Sequence, residues 1–312
     1  MKNSNFLGID TSNYTTSAAL YKADGSVEHS KRLLPVKEGQ LGLRQSDAVF
    51  HHVQQLPQIL EPLLMQRNTL RAIGVSSRPR TAEGSYMPCF TVGLGTAKVL
   101  ADSLGIPIYT CSHQENHIAA ALYSANRFEW FEKTFLAFHV SGGTTEAVLV
   151  EPDKETMVKT RLLASSLDLK GGQAVDRVGV MLGLSFPAGP ELERLALQSE
   201  AKFSIRPSMK GHDCSLSGLE NQCRSMLEKG KPKEEIARYC LLSLLAALDA
   251  MCASLLKEHG NLPVLFAGGV MSNSIIRKAL TERYGAAFAS PAFSADNAAG
   301  AAILAAIKEE AR

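Results

Sequence analysis

The sequence predicts an α/β fold built from two related domains, each with a mixed sheet. Apolar runs of strand length alternate with longer stretches in which apolar residues recur at helical spacing. Such alternation is typical of strands joined by helices. A short pattern also recurs, because Thr15-Thr16-Ser17-Ala18-Ala19-Leu20 resembles Thr144-Thr145-Glu146-Ala147-Val148-Leu149 in the second half. Each copy lies in a strand–turn–strand context, which favours two related units.

The first half opens with three predicted strands and continues with helices and strands in turn. Val49, Val53, Leu56 and Leu60 recur at near-helical spacing in the first predicted helix. In chain order, we predict strands at 6–10, 16–21 and 27–34, a helix from Ser46, a strand at 72–76, a helix near 91–104, a strand at 106–110 and a helix at 113–124.

The second half begins in the same way and ends in helices. A Gly142-Gly143 turn separates predicted strands at 135–141 and 145–150. A strand at 262–267 then runs into Gly268-Gly269 before a helix from about Ser272, and the last helix begins near Asp296. The apolar segment 241–256 is interrupted by Asp249 and is too short to span a bilayer, so we predict a buried helix there.

The composition indicates a folded protein with a substantial core. Hydrophobic residues make up 45% of the 312 residues, which excludes a disordered or low-complexity chain. The 33 basic and 31 acidic residues nearly cancel, so the net charge gives no case for nucleic-acid binding over the whole surface. The six cysteines form no Cys-x-x-Cys pair, and we expect no signal peptide. We therefore expect reduced thiols and a cytoplasmic protein.

Three polar or glycine-rich turns follow predicted strands, at 10–13, 141–143 and 268–269. Loops at the strand ends of open α/β sheets bring backbone N–H groups towards phosphate. The chain contains neither GxxxxGK[ST] nor GxGxxG, which argues against P-loop and Rossmann nucleotide sites. The duplicated strand–turn–strand pattern and the late Gly-Gly turn are instead typical of the actin/hexokinase/heat-shock ATPase superfamily, in which a nucleotide lies in the cleft between two related domains.

His113 and His117 are four residues apart on a predicted helix, so their side chains share one face. This spacing suits two ligands of one metal ion. Ser112 and Glu115 form a capping-box pattern that starts the helix at His113, so the alternative is a pair of surface histidines on an ordinary capped helix. A zinc peptidase would need glutamate directly after the first histidine, where this chain has Gln114, and we exclude that mechanism.

Eight motifs follow one another along nearly the whole chain: Gly8-Ile-Asp-Thr-Ser12, Ser112-His-Gln-Glu-Asn-His117, His139-Val-Ser-Gly-Gly143, Val175-Asp-Arg177, Phe186-Pro-Ala-Gly-Pro190, Ser215-Leu-Ser-Gly-Leu219, Gly268-Gly-Val-Met-Ser-Asn273 and Asp296-Asn-Ala298. In this order they resemble the universal tRNA threonylcarbamoyladenosine synthase family, long mislabelled as O-sialoglycoprotein endopeptidase or glycoprotease. The chain is most similar to a shorter branch of that family, which carries Gly42-Leu-Arg-Gln-Ser-Asp47 and Ser76-Ser-Arg-Pro-Arg80.

The resemblance implies two ribonuclease-H-like domains around a nucleotide cleft, at 1–125 and 126–296, with the C-terminal helix 297–312 packing on the first. It also implies transfer of a threonylcarbamoyl group from its adenylate to N6 of the adenosine next to the anticodon in tRNA. The implied ligands are one divalent metal ion, with iron favoured over zinc, and an adenine nucleotide. The implied partners are tRNA, a paralogous family subunit and a small ATPase, with no membrane.

The resemblance also assigns site residues, motif by motif. His113, His117 and Asp296 would hold the metal ion. The phosphate and acyl end would be lined by His139, Val140, Ser141, Gly142 and Gly143. Asp176 and Gly189 would hold the ribose, and Asn273 the nucleoside side. Further candidates are Asp10, Ser12, Arg78 and Arg80.

Several of these residues also suit a purely structural role. Asp296 lies where the N-cap of a helix at 298–311 belongs, and Gly142-Gly143 suits a hairpin turn without a ligand. Asp176 could neutralise the neighbouring Arg177. Asn273 could belong to the start of its own helix.

The chain departs from the family pattern near the transferring end. Asn13-Tyr14-Thr15 replaces a cysteine and an acidic pair, and Thr144 replaces a histidine. Glu220 replaces a lysine, and Arg78-Pro79-Arg80 replaces a Gly-Pro-Gly turn. These departures leave two alternatives to the family reaction. One is a non-catalytic nucleotide-binding partner of a paralogous synthase, and the other is a carbamoyl- or phosphoryl-transferase with a different acceptor.

Overall fold

The computed structural model describes residues 4–12, 14–35 and 43–312, so Asn13 and Gly42 of the sequence motifs lie outside the described residues. The strands in chain order are β1 (Asn5–Ser12), β2 (Thr15–Tyr21), β3 (Val27–Leu33), β4 (Leu70–Arg78), β5 (Ile108–Ser112), β6 (Phe135–Val140), β7 (Thr145–Asp153), β8 (Met157–Ser165), β9 (Ser208–Lys210), β10 (Asp213–Ser215), β11 (Val264–Ala267) and β12 (Ala287–Phe288).

The helices in chain order are α1 (Gln45–Leu64), α2 (Phe90–Leu104), α3 (His113–Ser124), α4 (Gly171–Met181), α5 (Gly189–Ala196), α6 (Ser217–Glu228), α7 (Lys233–His259), α8 (Ser274–Tyr284), α9 (Pro291–Ser294) and α10 (Ala299–Glu310). The last predicted helix therefore begins at Ala299 rather than near Asp296. The predicted helix from about Ser272 begins at Ser274, because a short 3-10 turn at Gly269–Ser272 precedes it.

The chain forms two compact units. Unit 1 comprises Met1–Phe131, Asp153–Lys159 and Ala292–Arg312, and unit 2 comprises Glu132–Pro152 and Thr160–Pro291. The sequence-based domain limits, 1–125 and 126–296, stay a prediction.

Unit 1 is built on a five-stranded mixed sheet in the order β3-β2-β1-β4-β5. Strand β1 pairs antiparallel with β2 and parallel with β4, and β4 pairs parallel with β5. The C-terminal ends of β1, β4 and β5 therefore lie at the same edge of the sheet, where open α/β folds place their ligands.

Unit 2 has a sheet of the same strand order, β8-β7-β6-β11-β12. Strand β6 pairs antiparallel with β7 and parallel with β11, as β1 does with β2 and β4. The first of the two similar sequence patterns lies in β2 and the second, from Thr145 onward, in β7, and these are the second strands of equivalent hairpins. The structure thus confirms the α/β class with two mixed sheets.

Helices cover both faces of the unit 1 sheet. On one face, α1 and α2 bury leucine and alanine side chains against Leu7 and Ile9 of β1. On the other face, α10 lies almost in contact with the strand backbones. A Cβ atom at Gly74 would stand 1.9 Å from the carbonyl oxygen of Ala301, so only glycine allows this approach.

The helix α7 confirms the buried helix predicted at 241–256, but it is longer than the apolar segment. It has 27 residues and is long and apolar enough, by length and composition, to cross a membrane. Its apolar side chains, among them Leu241, Leu244, Leu248 and Met251, are buried in the hydrophobic core of unit 2. The core helix of a folded domain passes the same test, so burial rather than shortness distinguishes this helix.

The contact between α10 and α3 depends on Gly300, because a Cβ atom there would stand 1.8 Å from the carbonyl oxygen of Asn116. We expect Gly300→Ala to lower the free energy of unfolding by about 1–3 kcal/mol through overpacking. Gly95→Ala is the matched control, since nothing lies within 4 Å of a Cβ atom at this exposed position of α2. It should raise stability by up to about 1 kcal/mol through helix propensity. If urea unfolding gave the same change in the free energy of unfolding for both variants, the close contact at Gly300 would be contradicted.

Candidate functional site

The helix α3 begins at His113 because the capping box predicted from the sequence is formed. The Ser112 hydroxyl accepts a hydrogen bond from the Glu115 amide at 3.1 Å, and the Glu115 carboxylate accepts one from the Ser112 amide. Starting the helix here places His113 and His117 one above the other on the same face. Their Nε2 atoms are 3.0 Å apart.

Asp296 completes a cluster of three potential metal ligands in unit 1. Its Oδ1 atom lies 3.4 Å from Nε2 of His117 and 3.7 Å from Nε2 of His113. The N-cap of α10 is Ala298, and the amide of Ala299 donates to the side chain of Asn297, so the alternative that Asp296 caps the last helix is wrong.

The donor set fits one divalent ion. Nitrogen and oxygen ligands at about 2.0–2.2 Å from a tetrahedral ion stand about 3.3–3.6 Å from one another, within about 0.3 Å of the three observed distances. Two imidazoles and one carboxylate suit zinc as well as iron. Three protein ligands also leave further coordination positions for a substrate or water.

Asp10 lies behind His113, at the end of β1. Its Oδ2 atom is 2.8 Å from Nδ1 of His113, and its side chain is completely buried. A proton on Nδ1 shared with this carboxylate leaves Nε2 with its lone pair towards His117 and Asp296. Carboxylates commonly orient metal-binding histidines in this way.

The charges of the cluster depend on one another. Burial lowers the pKa of His113, but the charge of Asp10, its hydrogen bond and the charge of Asp296 raise it overall to about 9. Burial raises the pKa of Asp296, yet the hydrogen bond from His117 and the two histidine charges bring it well below its usual range. The pKa of Asp10 is also lowered, since His113 outweighs the effect of burial. The site thus favours positive charge, on the ring or on a bound metal ion.

Asn116 was missed by the sequence analysis, although it joins the parts of this cluster. It is completely buried, and its Nδ2 atom donates to Asp10 Oδ2 at 3.2 Å and to the carbonyl oxygen of Asn297 at 2.6 Å. Its Oδ1 atom accepts from the amide of Ala301 at 2.8 Å. Its position between two histidines on one predicted helix could have indicated that this polar residue belongs to the site.

The other unit 1 candidates lie at strand ends. Ser12 ends β1, and its buried hydroxyl has no hydrogen-bond partner among the described residues. Arg78 ends β4, its Cα pairs with that of Ser112, and its buried Nε atom likewise lacks a partner in the described part of the chain. Arg80 is exposed in the loop that follows.

In unit 2, the turn after β6 is held tightly by its neighbours. The Ser141 hydroxyl accepts hydrogen bonds from the amides of Gly143 and Thr144, at 3.3 and 3.1 Å. A Cβ atom at Gly172 would stand 2.6 Å from the amide nitrogen of Gly142. The segment from His139 to Gly143 therefore forms a hairpin turn packed against the start of α4.

The end of β11 lies beside this turn. Gly268 has φ +104°, and a Cβ atom there would stand 2.2 Å from the carbonyl oxygen of Val140 and 2.9 Å from the His139 ring. The structure thus brings together two of the three glycine-rich or polar turns predicted from the sequence. Both follow the parallel strands β6 and β11.

Asp176 and Asn273 serve the structure of unit 2. Asp176 Oδ1 accepts from the amide of Ala188 at 2.8 Å, directly before Gly189 begins α5. The alternative that Asp176 neutralises Arg177 is wrong, because Arg177 pairs with Glu220. Asn273 caps α8, and its side chain accepts from the amide of Ile276 at 3.1 Å, as the structural alternative predicted.

Comparison with known proteins decides the family. The profile described as tRNA N6-adenosine threonylcarbamoyltransferase matches residues 30–303. The chain belongs to this family. The tRNA N6-adenosine threonylcarbamoyltransferase of Thermus thermophilus is 33% identical over 283 residues, which cover 89% of this chain and 83% of the relative.

Solved structures show that this threonylcarbamoyltransferase-family chain has the actin/hexokinase/heat-shock ATPase fold. T. kodakarensis HypF matches with a TM-score of 0.62 and 13% identity, over 98% of this chain and 47% of that chain. A ROK family glucokinase from Streptomyces griseus matches with a TM-score of 0.53 and 12% identity, over 97% of this chain and 100% of that chain.

One departure from the family pattern is compensated within unit 2. Glu220 pairs with Arg224 at 2.8 Å and with Arg177 at 3.4 Å. The charge reversal at this position therefore does not leave an isolated negative charge.

We predict that His113→Ala, His117→Ala and Asp296→Ala each lose at least about 90% of a bound divalent ion, because each removes one of three ligands. The wild-type protein should carry about one ion per chain when measured by elemental analysis after gel filtration. His51→Ala, which changes a histidine of α1 outside the cluster, is the control and should retain the ion. If all three cluster variants retained a full equivalent of the ion, these residues would not be its ligands.

Proposed function

We propose that the protein is a metal-dependent transferase that moves a threonylcarbamoyl group from its adenylate to N6 of the adenosine next to the anticodon in tRNA. The observation that carries the proposal is the His113, His117 and Asp296 cluster in a chain of this family. The proposal includes a cytoplasmic location, with tRNA, a paralogous family subunit and a small ATPase as partners.

In this proposal, residues of unit 1 hold the electrophilic end of the substrate. His113, His117 and Asp296 would hold the ion, with iron favoured over zinc, and Asp10 would keep His113 in the ligating tautomer. When bound, a divalent ion at this place would polarise a carbonyl or phosphoryl oxygen of the substrate.

Residues of unit 2 would bind the adenylate. The glycines of the turn after β6 allow close approach of backbone to an anion. The Oδ1 atom of Asp176 accepts a hydrogen bond from the amide of Ala188. Its Oδ2 atom accepts none from the described residues, so Oδ2 is available to a ribose hydroxyl. Gly189 would lie against the ribose, and Asn273 would lie on the nucleoside side of the adenylate.

The arrangement of Glu115 supports a transferase rather than a peptidase. A metallopeptidase needs a carboxylate that is free to activate water at the metal. The Glu115 carboxylate is buried and accepts hydrogen bonds from the Ser112 amide and from the Thr81 hydroxyl, the latter at 3.0 Å. It therefore fixes the start of α3.

A second candidate function rests on the departures at Tyr14, Thr15 and Arg78–Arg80. At these positions neutral hydroxyls replace an acidic pair, and two arginines replace glycines. The proposed metal ligands themselves are retained. These departures favour a transferase with a different acceptor, or a non-catalytic nucleotide-binding partner of a paralogous synthase.

We predict that ATP raises the melting temperature of the protein, because a ligand that binds only the folded state stabilises it by mass action. Asp176→Ala should reduce this shift by removing the ribose contact. The control is Arg177→Ala, which changes the next residue of the same helix and should keep most of the shift. No shift with ATP in the wild-type protein, in the presence of Zn²⁺, would contradict the nucleotide site.

We also predict that the protein restores the modified base only in part when the housekeeping synthase is depleted. A mispositioned reacting group can cost about a hundredfold in rate, and the changed residues lie near the transferring end. The measurement is threonylcarbamoyladenosine in tRNA by mass spectrometry, with His113→Ala as the baseline. A level equal to that baseline would overturn the tRNA reaction, and full restoration would show that the departures leave it unaffected.

A further inference from the structure

The carboxylate of Asp296 is held by a residue to which the sequence motifs assigned no site role. Asp296 lies between α9 and α10, outside any helix or strand, so side-chain contacts decide where its carboxylate lies. Thr15, the first residue of β2, donates a hydrogen bond from Oγ1 to Asp296 Oδ2 over 3.2 Å. Thr15 is only 4% exposed, which limits competition from water.

The two oxygens of this carboxylate therefore have different surroundings. Oδ2 accepts from Thr15, whereas Oδ1 faces Nε2 of His117 at 3.4 Å and Nε2 of His113 at 3.7 Å. The two oxygens are chemically equivalent, so a half-turn of the carboxylate would restore the same arrangement, but a smaller rotation would break the hydrogen bond from Thr15. The hydroxyl thus fixes the plane of the carboxylate with one oxygen directed at the histidines.

A second contact restrains the main chain of the same residue. The ammonium group of Lys31, on β3, lies 3.4 Å from the carbonyl oxygen of Asp296. Two neighbouring strands of the unit 1 sheet therefore contact Asp296, β2 through its carboxylate and β3 through its backbone.

Position 15 is also a place where this chain departs from the family pattern, which has an acidic pair there. A carboxylate within hydrogen-bond distance of Asp296 would repel it unless a proton or a cation lay between them. A hydroxyl instead donates a proton to Asp296 and adds no charge. The contact is therefore a feature of this chain and not one that the resemblance supplies.

We propose that Thr15 is a positioning residue of the metal centre, which presents Oδ1 of Asp296 to the ion held by His113 and His117. The proposal rests on the proposed function only in requiring a metal ion at this cluster. Hydrogen bonds to metal ligands typically contribute about 10- to 100-fold in metal affinity. The same range is expected for Thr15.

The test measures the dissociation constant for Zn²⁺ by competition with a chromophoric chelator, together with the melting temperature of the metal-free protein. Thr15→Val keeps the shape of the side chain and removes the hydroxyl. It should weaken Zn²⁺ binding about tenfold or more. Thr15→Ser restores the hydroxyl and should recover most of the affinity.

Thr156→Val is the matched control, because Thr156 also donates to an aspartate, Asp153 Oδ1 at 3.0 Å, in a turn of unit 1. It should leave Zn²⁺ affinity unchanged. In the Asp296→Ala background, Thr15→Val should have no further effect on affinity, since the carboxylate it positions is gone.

The outcomes separate this inference from the proposed function. Wild-type affinity in Thr15→Val overturns the positioning role while leaving the metal centre intact. An equal loss in Thr15→Val and Thr15→Ser, or a loss matched by a lower melting temperature of the metal-free protein, also overturns it. If the wild-type protein binds no Zn²⁺, both proposals fail.

Discussion

The hydrogen bonds of one buried amide hold the candidate metal centre together. Asn116 lies on α3 between the two histidines and bonds to Asp10 at the end of β1, to the backbone of Asn297 and to that of Ala301 in α10. Segments that are more than a hundred residues apart in the chain thereby meet at one point. A buried amide left without these partners would be costly, so each contact favours the others.

The fold brings the hydrogen-bond partners of the Asn116 side chain together. Parallel pairing of β1, β4 and β5 brings Asp10 and the start of α3 to one edge of the sheet. Glycine at positions 74 and 300 lets α10 approach the sheet and α3 closely enough to place Asp296 near the histidines. The site therefore depends on one glycine of β4 and one glycine of the alanine-rich helix α10, neither of which carries a functional side chain.

Much of this could be predicted from the sequence, for reasons that are local. Strand–turn–strand alternation predicted the two sheets, and Ser112 with Glu115 predicted the start of α3 at His113. The histidine spacing then placed both rings on one face. The capping role of Asn273 was also available locally, as one of two open possibilities.

The remaining features depend on contacts distant in the chain, which residue spacing does not reveal. The hydrogen bond from Thr15 to Asp296 spans 281 positions. The ion pair of Glu220 with Arg177 joins two helices, whereas its ion pair with Arg224, four residues later on the same helix, is of the local kind that spacing can indicate. The length of α7 was underestimated because its polar ends continue the helix beyond the apolar segment.

The central claim is that two imidazoles and one carboxylate of this chain bind one divalent ion. X-ray absorption spectroscopy of the Zn²⁺-loaded protein tests it most directly. We predict two histidine ligands and further oxygen ligands at about 2.0–2.2 Å, with no sulfur. A zinc–sulfur distance of about 2.3 Å, or the absence of histidine scattering, would contradict it.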